Sequence, residues 1–403
     1  MSAVAELVHA IWIKAQIKAP PVAQRALLPR LHAMKELARA ALKPYVPVYQ
    51  LQGPGQAGPL FVTYIGLEFA RPVLQQLLFA EQPSVQPVGR IPYWRPDALA
   101  EFTRSDLVIV AAARRWIQRL PWDGAIVAPE YVRHVLDLQG DWQDVLRRMR
   151  QSARYEFRLA QTHGYTCEIS HNARDFQMFY DEMYLPTMAN RHGALSAPTP
   201  RGEAYQYFRH GLLFFARRDG RRVCGGICYP ERGALHFVVV GVLGGDPQLL
   251  RERAVDALNC LRIEWAHQHG YRAINFLGTG PYLNLGQFQY KRKWGGRVFI
   301  PANLHRSIWI RINRDTPAVA RFLKDNPFVV VDQAGNLDGL ILVDDGRNVT
   351  AQDRAEWIKR YATPGLRSLV VRSVRDLVGG SAGASGRELS IPLAGSADLE
   401  HRS

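Results

Sequence analysis

The 403-residue chain is longer than one hydrophobic core usually serves, so two or three cores are expected. Overall disorder is excluded, because 47% of residues are hydrophobic, 22% are charged, and 9 Trp, 16 Tyr and 16 Phe supply material to bury. Against 36 Asp and Glu stand 51 Lys and Arg, a net charge of +15; this points to a phosphate-bearing small molecule, nucleic acid or an anionic membrane surface, unless it reflects only an Arg-rich coding bias.

The first residues lack the basic-then-apolar order of a signal peptide, since Glu6, His9 and Lys14 interrupt them. No run of about 18 uncharged apolar residues offers a spanning helix. Cys167, Cys224, Cys228 and Cys260 are too few for a disulfide scaffold and read as reduced core thiols of a cytoplasmic protein.

Residues 1–43 read as two N-terminal helices broken at Pro20-Pro21, with Arg and Lys among Ala and Leu. They cap a domain or rest peripherally on a membrane, apolar face and cations acting together. From 44 to 138 the pattern is that of a small α/β domain. It has an extended Val46 to Leu51, a Gly/Pro loop at 53–59, strands at 60–65, 106–111 and 124–128, and a helix at 69–80.

Over 141–163, Leu146, Met149, Ala153, Phe157 and Ala160 recur at helical spacing and predict one buried stripe. Arg147, Arg150, Arg154 and Arg158 follow its flank. They form either a rail for a polyanionic substrate or a solvated face with partners such as Glu156.

A strand at 165–170 and a helix at 173–189 precede an antiparallel meander at 212–216, 222–229 and 235–241. Asp219-Gly220 marks its first turn, because a tight hairpin needs positive φ. Asp246-Pro247 then caps a helix that Gly270 stops, with Leu250, Ala254, Leu258, Leu261 and Trp265 on one face. A buried strand at 273–277, a helix at 285–294 and an extended 298–300 complete the segment. Residues 303–378 read as a C-terminal α+β appendage, in which Thr350 to Asp353 resembles a capping box. The Gly-, Ser- and Ala-rich 379–403 reads as a disordered tail.

The order of elements over 139–302 resembles the GNAT acyltransferase fold, a mixed, mostly antiparallel sheet flanked by helices. The likeness extends to the FemAB-like and BioF2-like branch through Asp141-Trp-Gln-Asp-Val-Leu-Arg-Arg148, Gly270-Tyr-Arg-Ala-Ile-Asn-Phe276, Gly278-Thr-Gly-Pro-Tyr-Leu-Asn-Leu-Gly286 and Tyr290-Lys-Arg-Lys-Trp-Gly-Gly296. Relatives of this type often hold two such domains, so 44–138 is open to being a degenerate first copy of a tandem pair. The resemblance implies transfer of an acyl group from acyl-CoA, such as acetyl-CoA, or from an aminoacyl-tRNA. The acceptor would be an amine or hydroxyl of an amino sugar or of a cell-envelope or exopolysaccharide precursor.

It further implies that Val240, Val242, Gly244, Gly245 and Gln248 hold the donor where the third meander strand meets the next helix, whose unpaired N–H groups suit phosphate. This chain departs from the family's carrier loop, because Asp246 brings a carboxylate there and Pro247 removes a donor. An aminoacyl-tRNA donor, or a binding module without turnover for a polyanionic partner, is the alternative.

Acyl transfer needs a base, a polarised carbonyl and an acid. His236, which alternation puts on one face with Val238 and Val240, is the candidate base or a hydrogen-bonded core histidine. Lys291 would neutralise an oxyanion or bind a donor phosphate, and Tyr290 would protonate the leaving group; both are otherwise packing residues. Tyr282 and Asn284 are candidate substrate-positioning groups. Cys224 and Cys228 lie on a strand with no second Cys or His pair, so no metal site is expected.

Overall fold

The computed structural model describes residues 45–66, 70–92, 95–192, 198–302, 304–378 and 388–393. The helices expected in 1–43 fall outside these residues. The chain divides into two compact units: one of Arg133–Leu277 with Tyr290–Arg297, the other of the described residues of Pro29–Val132, Gly278–Gln289 and Val298–Ser403.

In the latter unit, β1 (Tyr45–Gly55) and β2 (Gly58–Gly66) form a hairpin, so the expected loop at 53–59 is its tip, with Pro54 opposite Pro59. Next come helix α1 (Arg71–Leu78) and strands β3 (Ser84–Pro92), β4 (Leu107–Ala113) and β5 (Ala125–Pro129). The β3 strand, not anticipated from sequence, is an almost wholly exposed edge that carries Pro87 and Gly89, residues that discourage further pairing.

The segment that follows builds the other unit. It contains β6 (Val132–Asp137), α2 (Trp142–Arg148), α3 (Gln151–Thr162) and β7 (Thr166–Ser170). A continuous helical run then passes through α4 (Ala173–Met178), a π-helical turn at Phe179–Tyr184 and α5 (Leu185–His192). Helix α6 (Arg201–Arg209) leads into the meander β8 (Leu212–Arg218), β9 (Arg221–Glu231) and β10 (Ala234–Val242). After it stand α7 (Pro247–Arg251), α8 (Ala254–Gln268), β11 (Ala273–Thr279), α9 (Gly286–Lys293) and β12 (Arg297–Phe299). The sheet order is β12-β6-β11-β10-β9-β8-β7. One core, with Leu258, Ile263, Phe237 and Trp294, fills the side under α3 and α8; another, with Phe179, Met183, Phe215 and Ile227, fills the side under α4 to α6.

Two expected helices are broken. The stripe over 141–163 is interrupted at Met149 and Arg150, both extended, where the Arg150 N–H donates to the Lys293 carbonyl at 3.0 Å. The helix expected from 247 to Gly270 breaks at Arg253, whose φ of 63° no helix interior accepts.

The chain ends in the unit that holds β1 to β5, with β13 (Arg306–Ile312), α10 (Pro317–Asp325), β14 (Phe328–Val331), β15 (Leu337–Val343), α11 (Ala351–Tyr361), β16 (Ser368–Ser373) and β17 (Leu389–Pro392). The Thr350 capping box is present. Two differences from the sequence reading emerge. β13 pairs with both β4 and β5, completing the sheet β3-β1-β2-β4-β13-β5, so the start of the expected appendage belongs to the same sheet as the 44–138 segment. Within the tail expected to be disordered, β17 pairs antiparallel with β16, because Ile391 buries against the core beside Leu369.

Candidate active site

Strand β10 runs antiparallel to β9 along its whole length, but it pairs with β11 at only three positions, Ala234 with Ala273, Leu235 with Ile274 and His236 with Asn275. Beyond His236 the two parallel strands part. The cause is local on both sides. On β11, the Leu277 N–H bonds back to Asn275 Oδ1 at 2.9 Å, and Leu277 takes a φ of 62°. A left-handed Leu costs about 1 to 2 kcal/mol, so the bend is held by its surroundings. On β10, the Val242 N–H donates to Thr187 Oγ1 at 2.9 Å and the Thr187 hydroxyl faces the Val242 carbonyl at 3.3 Å. At Gly241 a Cβ would lie 2.5 Å from the Met183 backbone, so only glycine lets the π-helical turn sit this close. The end of β10 is therefore fastened to a helix, not to β11.

The strands thus part at His236, well before Gly244 and Gly245, where the resemblance places the donor. A bulge adds to the opening: between β9 and β10, Phe237 pairs with Cys228 and Val239 with Ile227, leaving Val238 as the extra residue. The bulge also corrects the expected alternation. His236 stacks on Tyr229 and Val238 packs toward the α4–α6 core, whereas Val240 packs into the α3/α8 core.

His236 is buried, its Nε2 is 3.5 Å from Glu231 Oε2, and desolvation lowers its pKa to about 3, with Arg133 and Arg232 contributing. It is neutral at physiological pH and a weak base. Lys291, by contrast, is brought down by burial from 10.5 to about 7. Burial of His134 on β6, with the Lys291 charge adding to it, lowers that histidine to about 3. Lys291 thus does not face outward, and its half-neutral state at pH 7 suits proton transfer better than the permanent oxyanion or phosphate charge expected of it.

Tyr290 is committed elsewhere. Its hydroxyl accepts from Asn259 Nδ2 at 2.6 Å, and burial together with the Asp256 carboxylate pushes its pKa well up. That bond starts a polar chain under α8. Asn259 Oδ1 accepts from Arg262, and the Arg262 guanidinium lies 3.9 Å over the Phe237 ring, with Nη1 3.5 Å from Cys228 Sγ. Lys293 pairs with Asp256 at 2.8 Å and Glu156 at 3.4 Å, and Glu156 also pairs with Arg253. A phenol held in this way anchors α9 to α8 and is poorly placed to protonate a leaving group.

The loop expected to hold the donor is mostly occupied by its own chain. Both polar backbone atoms of Val242 meet Thr187. At Gly245 (φ 64°) a Cβ would lie 2.6 Å from the Pro186 backbone, and its carbonyl accepts from Asn190 Nδ2 at 3.0 Å. The close approach this glycine permits is to α5. Asp246 caps the Gln248 N–H at 2.7 Å, and the Gln248 side chain bonds Glu252 and Arg251. Gly244, exposed with open space around its Cα, is left on the surface.

Residues 147–292 match the family model described as an acetyltransferase (GNAT) domain. The chain carries a GNAT acyltransferase-type domain. No curated protein matches the sequence. Solved structures similar to the chain include FemX, at a TM-score of 0.38 and 11% identity, covering 75% of this chain and 95% of that chain. Another is L-PGS from Bacillus licheniformis, at 0.34 and 13%, covering 68% and 87% respectively. A third is a GCN5-related N-acetyltransferase from Kribbella flavida, at 0.27 and 13%, covering 85% and 76%.

Within the GNAT domain the expected arginine rail does not form a single line, because the helix breaks at Arg150. Arg147 pairs with Asp144, Arg150 is half-buried, and Arg154 and Arg158 are exposed, the latter 5.8 Å over the Tyr155 ring. Glu156, expected to partner this face, is instead buried and turned toward Lys293 and Arg253. Tyr282 and Asn284 belong to the other unit. There Tyr282 is buried with its ring 5.3 Å from Phe328, and Asn284 Nδ2 donates to the Asp325 carbonyl at 2.7 Å. Both are held by protein, which argues against substrate positioning.

Sequence reading missed Asn275, Thr187, Asn259, Arg262 and His134. A polar Asn in the buried run Ala273 to Phe276 and a His in the alternating Val132 to Asp137 were the available signals. Among the described residues no group of His, Cys, Asp or Glu is placed to hold a metal ion, and no helix is long and apolar enough to cross a membrane.

Proposed function

We propose that the GNAT domain transfers an acyl group from an activated donor, acyl-CoA or aminoacyl-tRNA, to an amine or hydroxyl of an amino sugar or a cell-envelope or exopolysaccharide precursor. The parting of β10 from β11 after His236 and Asn275 carries this reading. It leaves one edge of β10 without a strand beside it, and an extended thioester or ester arm can take that place through backbone hydrogen bonds, as an added strand would. In the transfer the acceptor lone pair attacks the acyl carbon, the acceptor proton passes to a base, and the carbon–sulfur or carbon–oxygen bond breaks with its electron pair leaving on the CoA sulfur or the tRNA ribose oxygen, which takes up that proton. Lys291 is assigned that base on its place in the Tyr290 to Gly296 tract that resembles the family's, with burial lowering its pKa to about 7 and so favouring a neutral amine. Such work on precursors would take place in the cytoplasm or at the inner face of a membrane.

Of the two donors, the cap at Asp246 favours aminoacyl-tRNA. A CoA pyrophosphate on the first turn of α7 would meet a carboxylate already bonded to the Gln248 N–H. The test offers the purified protein labelled acetyl-CoA and charged tRNA side by side, with acceptor products read by mass spectrometry. Transfer from either donor that Lys291→Ala abolishes, in a variant with native circular dichroism, supports the reading. Full transfer by that variant removes Lys291 from the chemistry, and product from neither donor with a panel of amino sugars and envelope precursors counts against the transferase.

A further inference from the structure

At the last paired position before the strands part, the sheet face covered by α6 carries a row of polar and aromatic groups. His236 stacks 4.6 Å from Tyr229, and Tyr229 stacks 5.1 Å from Tyr207 of α6. The Tyr229 hydroxyl reaches Glu231 Oε2 at 3.3 Å, and Glu231 approaches His236. Arg133, half-buried on β6, acts electrostatically on His236, Tyr229 and Tyr207, and among the described residues no carboxylate lies in ion-pair reach of it. The row narrows inward: Tyr207, Tyr229, Glu231 and Arg133 are half-buried, and His236 is buried at 4% exposure. His236 Nδ1 meets no hydrogen-bond partner among the described residues. A buried ring nitrogen left so bears an uncompensated desolvation cost, which a ligand filling the row would recover.

We propose that this row is the acceptor site and that the acceptor is an amine also bearing a carboxylate or phosphate. Arg133 holds the anionic group, Glu231 with the Tyr229 ring face receives the ammonium, and His236 completes the site beside the first unpaired residue of β10. A simple cation does not fit, because Arg133 and Arg232 both bear on His236. A simple anion does not fit Glu231. The inference rests on the transferase reading for its place in the reaction, and its binding test needs no donor.

Protein labelled with 15N-histidine is titrated with O-phosphoethanolamine, β-alanine, ethanolamine and methyl phosphate, the His236 ring signals being assigned by their loss in His236→Gln. The two zwitterions are expected to shift those signals and to bind at least about tenfold tighter than either single-charge probe. Arg133→Met should weaken zwitterion binding about 10- to 100-fold, the worth of a hydrogen bond to a charged group, and Arg133→Lys by less. Equal binding of ethanolamine, undiminished binding by Arg133→Met with a native spectrum, or unmoved His236 signals with all four probes each overturn the proposal. Transfer with an unchanged acceptor KM in Arg133→Met would end this assignment and spare the transferase. Zwitterion binding without any transfer would do the reverse.

Discussion

Burial of Lys291 makes a prediction with a definite sign. Its folded pKa is about 7 against 10.5 in an unfolded chain. Below pH 7 both states carry the proton and the folded protein bears the full cost of burying the charge. Between pH 7 and 10.5 the unfolded chain binds more protons, so stability rises with pH. Above 10.5 the penalty is gone. At about 1.4 kcal/mol per pH unit the window amounts to ~4–5 kcal/mol, an upper bound given water reaching a partly exposed group. Lys291→Met removes the titration while keeping most of the side-chain volume. Urea unfolding at pH 7, 8 and 9 should show wild-type stability climbing by ~1 kcal/mol per unit more than that of the variant, and the variant should be the more stable protein at pH 7. Parallel pH dependence in the two proteins would show that Lys291 keeps an ordinary pKa. That result would also remove one reason for choosing it as a base.

The two buried histidines give the opposite end of the profile. With folded pKa values of about 3, His134 and His236 favour unfolding as pH falls below 6.5, so acid unfolding should move to lower pH in His236→Gln, as followed by tryptophan fluorescence. Glu156→Ala strips the buried partner from Lys293 and Arg253; because Lys293 keeps Asp256 and Arg253 is half exposed, a loss of about 1 to 3 kcal/mol in denaturant is expected, and a loss near zero would mean the pair is solvated. Thr187→Val leaves the N–H and carbonyl of Val242 without their hydroxyl; a loss of about 1 to 3 kcal/mol is expected, with faster amide exchange at Val242 as the specific sign. Asp246→Ala should lose about 1 kcal/mol of capping yet bind CoA more tightly, and unchanged CoA binding would mean the phosphates never approach α7.

The meander, the α11 capping box and the GNAT order of elements were legible because each is written in local spacing: Asp219-Gly220 at a hairpin, Thr350 and Asp353 at a helix start, apolar residues at fixed period. The parting of β10 and β11 was not, since it depends on Leu277 adopting a backbone region that residue type rarely enters and on Thr187, 55 residues from the backbone group it holds. Face assignments on β10 failed for a related reason. One bulged residue at Val238 reverses everything after it, and alternation carries no sign of a bulge when valines stand on both sides. The tract 278–296 resembled one motif in sequence, yet its glycine loop and its Tyr-Lys helix end fall in different units.

The break at Arg253 bears most on donor chemistry. Read as one helix from Asp246 to Gly270, the segment would put its whole dipole at the capped end, where a carboxylate already stands. The structure instead gives that end a five-residue helix, α7, and starts the fifteen-residue α8 afresh at Ala254, with Arg253 in the left-handed region and paired to buried Glu156. A helix dipole acts mainly through its first turn, and at the start of α8 that turn already carries Asp256, itself paired with Lys293. Both helix starts that could have drawn a pyrophosphate are therefore neutralised from within the chain. On the proposed transfer, what the domain still offers a donor is the unpaired edge of β10, which would recognise an extended arm by its amides and not by its phosphates. In the same proposal, the exposed Arg154 and Arg158 would supply the polyanion attraction, a salt-sensitive contact that suits a nucleic-acid carrier better than a compact nucleotide.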